Sequence, residues 1–204
     1  MSKSFPTTQS KLDGIFDHLY PKHSENYEEI IQTRESSIYS NKYYRWSGAD
    51  VLVRPNKGTA ASDNFATCSE INPNFSINFN FYSVRLTHYT FQTRTDTNSE
   101  YFFPCSWVVE ASGDNPKWTE IDRVSDTGFT KYGELKTFKV KRVLNNMRHF
   151  RFTLKDRDSQ GKGYFVLHRV EFFGTLFSSS SNHCTKALTH NFNKHLFFIF
   201  MQLK

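Results

Sequence analysis

Two short stretches of this sequence concentrate side chains suited to gripping a ligand. Tyr43, Tyr44, Arg45 and Trp46 are consecutive, and Arg94 shortly precedes Tyr101, Phe102 and Phe103. Arg54 lies between the two groups. Tyrosine and tryptophan offer large rigid surfaces, and arginine offers a planar fork of donors, so these residue types dominate binding hot spots. Aromatic faces beside arginine suit a sugar ring or a groove on another protein. The alternative is that individual rings fill the end of a core.

Covalent chemistry has far less support. A catalytic site brings together a nucleophile, a base and a group that stabilises developing charge. No Gly-x-Ser-x-Gly, Walker A, His-Glu-x-x-His or dinucleotide-binding glycine pattern occurs, and the carboxylates are scattered. No enzyme activity and no cofactor are expected. The run from Asp156 to Gly161 resembles the start of a calcium loop, but Leu167 stands where that loop needs a bidentate glutamate, so it is predicted to be a polar turn. His183, Cys184, His190 and His195 fit no zinc spacing, and no metal is expected there. His88 and His168 fall within strand patterns and are expected to be structural.

The elements that position these residues are mostly strands. Of 204 residues, 21 are Phe and 10 are Tyr, types that favour pleated, half-buried surfaces. Phe75, Ile77, Phe79 and Phe81 alternate with Ser76, Asn78 and Asn80; Phe150, Phe152 and Leu154 alternate with Arg151, Thr153 and Lys155. Further strands are predicted over 84–94, 106–112, 118–122, 135–141 and 164–176, each bounded by turn-forming residues. One helix is predicted over 10–20, where Leu12, Ile15, Phe16 and Leu19 share a face, Ser10 with Asp13 resembles a capping box and Pro21 ends the segment. Trp107, Val109 and Ala111 share one strand face, and after the turn at 113–116 Trp118 is expected to return to the core beside Trp107. Many short strands without long interleaved helices point to an antiparallel sandwich.

Charge and cysteine content narrow the setting. The formal net charge is +6, and residues 177–204 supply half of it through Lys186, Lys194 and Lys204 with no acid. What remains is no basic stripe, so no nucleic-acid partner is expected. Three cysteines without regular spacing form no disulfide framework, and the first residues carry no apolar signal stretch. The longest apolar run, 196–201, is far below the ~20 residues of a membrane helix. No transmembrane segment and no membrane-surface contact are expected; the predicted setting is intracellular and cytoplasmic, with the sequon at Asn74 unused. The tail after the serine run at 178–181 is read as an extension beyond the sandwich.

The ordered blocks 75–94, 106–122 and 149–176 resemble the factor V/VIII type C, or discoidin, family. The resemblance covers roughly Tyr27 to Leu176 and is carried by THYT, SWVVE, WTEID and VEFFGTL, together with the short DGIFDHL helix before the sandwich. It is closest to intracellular protist versions that often follow a BTB domain. It implies an all-β, antiparallel jelly-roll sandwich of the galactose-binding type, with residues 1–26 as an N-terminal segment, 27–176 as the domain and 177–204 as a C-terminal extension. It also implies a non-enzymatic module that binds a protein or carbohydrate through loops at one end. By block order those loops are 40–50, 53–61 and 93–105, which carry Tyr43, Tyr44, Arg45, Trp46, Arg54, Arg94, Tyr101, Phe102 and Phe103. The alternative is an assembly domain that associates with BTB-type or other partners. Secreted relatives commonly join the domain ends by a disulfide; the corresponding stretches here, 31–37 and 173–176, hold no cysteine.

Overall fold

The computed structural model describes residues 1–7, 12–40, 46–55, 58–96 and 102–178. Two antiparallel sheets face each other. The first takes the order β1 (Ser2–Phe5), β11 (Arg169–Ser178), β5 (Tyr82–Gln92), β8 (Leu135–Lys139). The second takes the order β2 (Ile31–Glu35), β4 (Asn74–Phe79), β9 (His149–Leu154), β6 (Trp107–Ser112), β7 (Thr119–Val124). A two-residue ribbon joins β3 (Phe65–Ala66) to β10 (Val166–Leu167). The expected all-β sandwich is the observed fold.

The two-residue rhythm builds the core. β4 turns Phe75, Ile77 and Phe79 inward and Asn74, Ser76 and Asn78 outward. Its register on β9 sets Phe75 opposite Phe152 and Ile77 opposite Phe150, and the first pair stacks with centroids 4.9 Å apart. Phe65, Phe165 and Phe91 surround Phe75 from other elements. Each such ring contributes ~1.5–3 kcal/mol through burial, with edge and stacking contacts adding ~0.5–1.5 kcal/mol per pair. A buried polar relay crosses between the sheets: Trp107 Nε1 donates to Tyr89 Oη at 2.8 Å, and Tyr89 Oη donates to Asp122 Oδ2 at 2.9 Å.

Several expectations are corrected. The N-terminal segment adds an edge strand, β1, antiparallel to β11. The helix α1 spans Ile15–His23 rather than 10–20 and continues two residues past Pro21. Its start is set by Gly14, where a Cβ would lie 2.3 Å from the Phe172 carbonyl, and its first amides are met by Glu171 of β11. Ser10 lies outside the described residues. A single turn, α2 (Tyr27–Ile30), leads into β2. The strand expected over 164–176 divides at His168, because Val166 and Leu167 pair with β3 while β11 pairs with β5.

Trp118 does not return to the core. It is half-buried on the outer face of the five-stranded sheet, with the Arg151 guanidinium 4.4 Å from its ring centroid. The cause is a bulge between β6 and β7. Val109 faces Asp122, but the next residue, Glu110, faces Glu120, leaving Ile121 as the extra residue. One extra residue inverts the alternation, so Asp122 points inward and Trp118 outward. The tail residues His183, Cys184, His190 and His195 lie outside the described residues.

Candidate functional site

The end of the sandwich where β5 finishes and β6 begins is assembled around Arg94. Its guanidinium donates through Nε to Asp96 Oδ1 at 2.9 Å and through a terminal nitrogen to Asp96 Oδ2 at 2.5 Å. Three rings enclose it: Trp46 at 4.7 Å, Phe102 at 5.9 Å and Tyr132 at 5.9 Å from the guanidinium carbon. Arg94 is only 1% exposed and Asp96 7%. A planar cation stacked on indole and locked in a two-point carboxylate fork is rigid.

Neighbouring loops tie the platform down. Tyr164 packs against Tyr39 at 5.4 Å and against Phe102 at 5.0 Å. Asn64 Oδ1 accepts from the Thr95 amide at 3.0 Å and lies 3.2 Å from His168 Nδ1. The Gly133 amide donates to the Arg94 carbonyl at 2.9 Å, and Thr93 Oγ1 donates to the Lys131 carbonyl at 2.7 Å. Connections from five parts of the chain are thereby fixed against each other by strand ends, which is how a rigid scaffold presents loop residues.

The residues singled out from sequence fall into three groups. Trp46 (7% exposed), Arg94 and Phe103 (2% exposed) are buried, so they form floor and core instead of projecting into solvent. Phe103 packs on Tyr132 at 5.7 Å inside the main core. Phe102 is half-buried at the rim. Arg54 is directed elsewhere, to Glu28 at 2.6 Å and Asp50 at 3.7 Å. Tyr43, Tyr44, Arg45 and Tyr101 lie outside the described residues. Tyr39, Tyr132 and Tyr164, all half-buried at this end, were not picked out from sequence, because only the fold brings them together. Asp96 carried a local signal: an acid two residues after Arg94.

The reactive groups nearby are occupied or quiet. Burial pushes the Cys105 thiol up, and the carboxylates of Asp158, Asp126 and Asp156 add to the effect, so it is a poor nucleophile. Asp158 Oδ1 accepts from the Gln160 and Lys162 amides, each at 2.9 Å, which makes 156–162 a polar turn as expected. Among the described residues no group of three His, Cys, Asp or Glu is placed to hold a metal ion.

No family model and no curated protein matches the sequence. Solved structures do match in fold. An F5/8 type C domain from Bacteroides fragilis aligns with 74% of this chain and 94% of its own, at TM-score 0.56 and 12% identity. A family 32 carbohydrate-binding module from Clostridium perfringens, solved with GalNAc-β-1,3-galactose, aligns with 71% of this chain and 95% of its own, at TM-score 0.54 and 11% identity. A fucolectin from striped bass, Morone saxatilis, aligns with 71% of this chain and 46% of its own, at TM-score 0.53 and 14% identity. At these identities the likeness establishes the discoidin-type, galactose-binding-like sandwich.

Proposed function

We propose that a sandwich of the kind found in F5/8 type C domains and family 32 carbohydrate-binding modules works in this chain as a non-enzymatic module that binds carbohydrate at the Arg94 end. The observation that carries this reading is the sealed Arg94–Asp96 pair under Trp46, Phe102 and Tyr132. Burying a charge is costly unless it is paired and hydrogen-bonded, and here the pair holds a rim of half-buried rings, Tyr39, Phe102 and Tyr164, in fixed relation. Preorganised aromatic surface suits the apolar face of a sugar ring. The structurally similar proteins solved with GalNAc-β-1,3-galactose and with galactose support the ligand class.

Catalysis has no part in the reading, since Cys105 is held as the thiol and His168 is engaged with Asn64 and Thr95. Cys68 and Cys105 are free thiols, which supports a reducing compartment. No helix among the described residues is long and apolar enough to cross a membrane.

The test is a glycan array probed with the wild-type chain and with Phe102→Ala/Tyr164→Ala. Binding to a defined subset of glycans should fall at least tenfold in the double variant, with the melting temperature within a few degrees of wild type. Retained binding, or a wild type that captures no glycan, removes the proposal.

A further inference from the structure

The outer face of the five-stranded sheet is not an ordinary solvated face. β-Strands disfavour asparagine, yet β4 places Asn74 and Asn78 with Ser76 on this side, where they gain little from packing. Register lines the polar groups into two transverse rows. One runs Arg34, Ser76, Arg151, Glu110 across β2, β4, β9 and β6; the other runs Gln32, Asn78, His149, Ser112. All of these except Glu110 and Ser112, together with Trp118, displaced outward by the β7 bulge, line a cleft of about 380 Å³, within the ~300–1,000 Å³ typical of small-ligand sites.

The groups in this cleft are oriented. Arg151 donates through Nε to Glu110 at 2.9 Å while its guanidinium covers one face of Trp118. His149 Nδ1 lies 2.8 Å from Asn78 Oδ1, which occupies the carboxamide oxygen. Burial and the neighbouring Arg148 lower the His149 pKa. The Trp118 indole N–H has no hydrogen-bond partner among the described residues.

Charge selects the occupant. Arg151 is neutralised by Glu110, and Glu35 accepts from the Ala49 amide at 3.2 Å. Arg34 is exposed and has no ion-pair partner among the described residues, so, although Glu35 also lines the cleft, the Arg34 guanidinium is open to pairing within a field of amides and hydroxyls. Two interstrand steps separate the strand of Arg34 from that of Arg151, roughly 10 Å, about the reach of a disaccharide. An apolar helix or lipid would strand these polar groups without partners, at a cost. A saccharide satisfies them, and a carboxylate on it would pair with Arg34 in a two-point fork.

We propose that this sheet face is a second carbohydrate site, separate from the Arg94 end, and that it takes an acidic saccharide whose carboxylate is held by Arg34 while a ring lies against Trp118. It stands independently of the loop-end reading.

The probes are 3′-sialyllactose and trigalacturonate, with lactose as the neutral control, titrated into the ¹⁵N-labelled full chain. At least one acidic probe should shift the Trp118 indole N–H resonance saturably, and lactose should not. Arg34→Ala should weaken that response at least tenfold, Arg34→Lys less, and Phe102→Ala/Tyr164→Ala should leave it unchanged. Arg34 is exposed, so its loss should not move the melting temperature. The proposal is overturned if neither acidic probe shifts Trp118, if lactose shifts it equally, or if Arg34→Ala binds like wild type. Loss of the response in the loop-end variant alone would place the binding at the other site and also overturn it.

Discussion

Glu171 Oε1 accepts a hydrogen bond from the Phe16 amide at 2.8 Å, joining positions 155 residues apart. Oε2 accepts from Asp17 at 3.1 Å, so a side chain of β11 caps the first turn of α1 in place of a local N-cap. The packing is close enough that Gly14 must lack a Cβ, since one would lie 2.8 Å from the Glu171 side chain. The same carboxylate couples the helix to pH.

Burial raises the Glu171 carboxyl from an ordinary 4.5 to about 7, against the pull of the Phe16 and Phe172 amides and Arg169. Between those two values the folded chain keeps a proton that the unfolded chain has released. The contribution is therefore full below pH 4.5 and is lost as pH rises toward 7. Subtracting the stability of Glu171→Gln from that of wild type isolates it. The difference should fall by up to about 3 kcal/mol from pH 4.5 to 7 and then level off. Urea titrations at half-unit steps measure it, and a difference that grows with pH contradicts the assignment.

Tyr89 is the middle member of the Trp107–Tyr89–Asp122 relay. Tyr89→Phe removes only a hydroxyl but strands the indole N–H and one oxygen of a buried carboxylate. A loss of about 2–4 kcal/mol follows, larger than an exposed hydroxyl would cause. A double-mutant cycle with Asp122→Asn should show non-additivity above 0.5 kcal/mol, on the order seen for groups in one network.

Asp96 neutralises a guanidinium that is almost fully enclosed. Asp96→Ala should cost about 3–5 kcal/mol, because it leaves a buried charge unpaired. Phe102→Ala, at the half-exposed rim, should cost about 1 kcal/mol or less yet carry most of the binding loss. Thermal melts paired with glycan binding separate floor from rim; similar melting losses for both variants would show that the division is wrong.

Gly174 sits at the bulge where β11 shifts register on β5, with φ at +146° and the Arg85 carbonyl 2.0 Å from any added Cβ. Gly174→Ala is strained in backbone and in space. It should lower the yield of folded protein or destabilise it by more than about 3 kcal/mol, read by circular dichroism melts. Gly161→Ala also has positive φ but meets nothing within 4 Å. It isolates the backbone term and should cost about 1 kcal/mol.

The strand blocks and their inward faces were legible because alternation is local: Phe75, Ile77 and Phe79 declare a buried side whatever their partners are. Where α1 begins was not legible, since its cap comes from Glu171 at the far end of the chain. Loop composition located one end of the sandwich but misjudged exposure. Whether Trp46 or Phe102 faces solvent depends on Arg94, Tyr132 and Tyr164, which arrive from separate connections.

What residue order decided by itself is the rhythm of apolar and polar side chains, and with it the all-β sandwich, because period-two burial needs no knowledge of the partner strand. Tertiary structure alone decided which arginine is sealed and which is left in the open, and which tryptophan points outward. Those outcomes depend on register: the single extra residue at Ile121 turned Trp118 from the core to the sheet face, and no local pattern marks it.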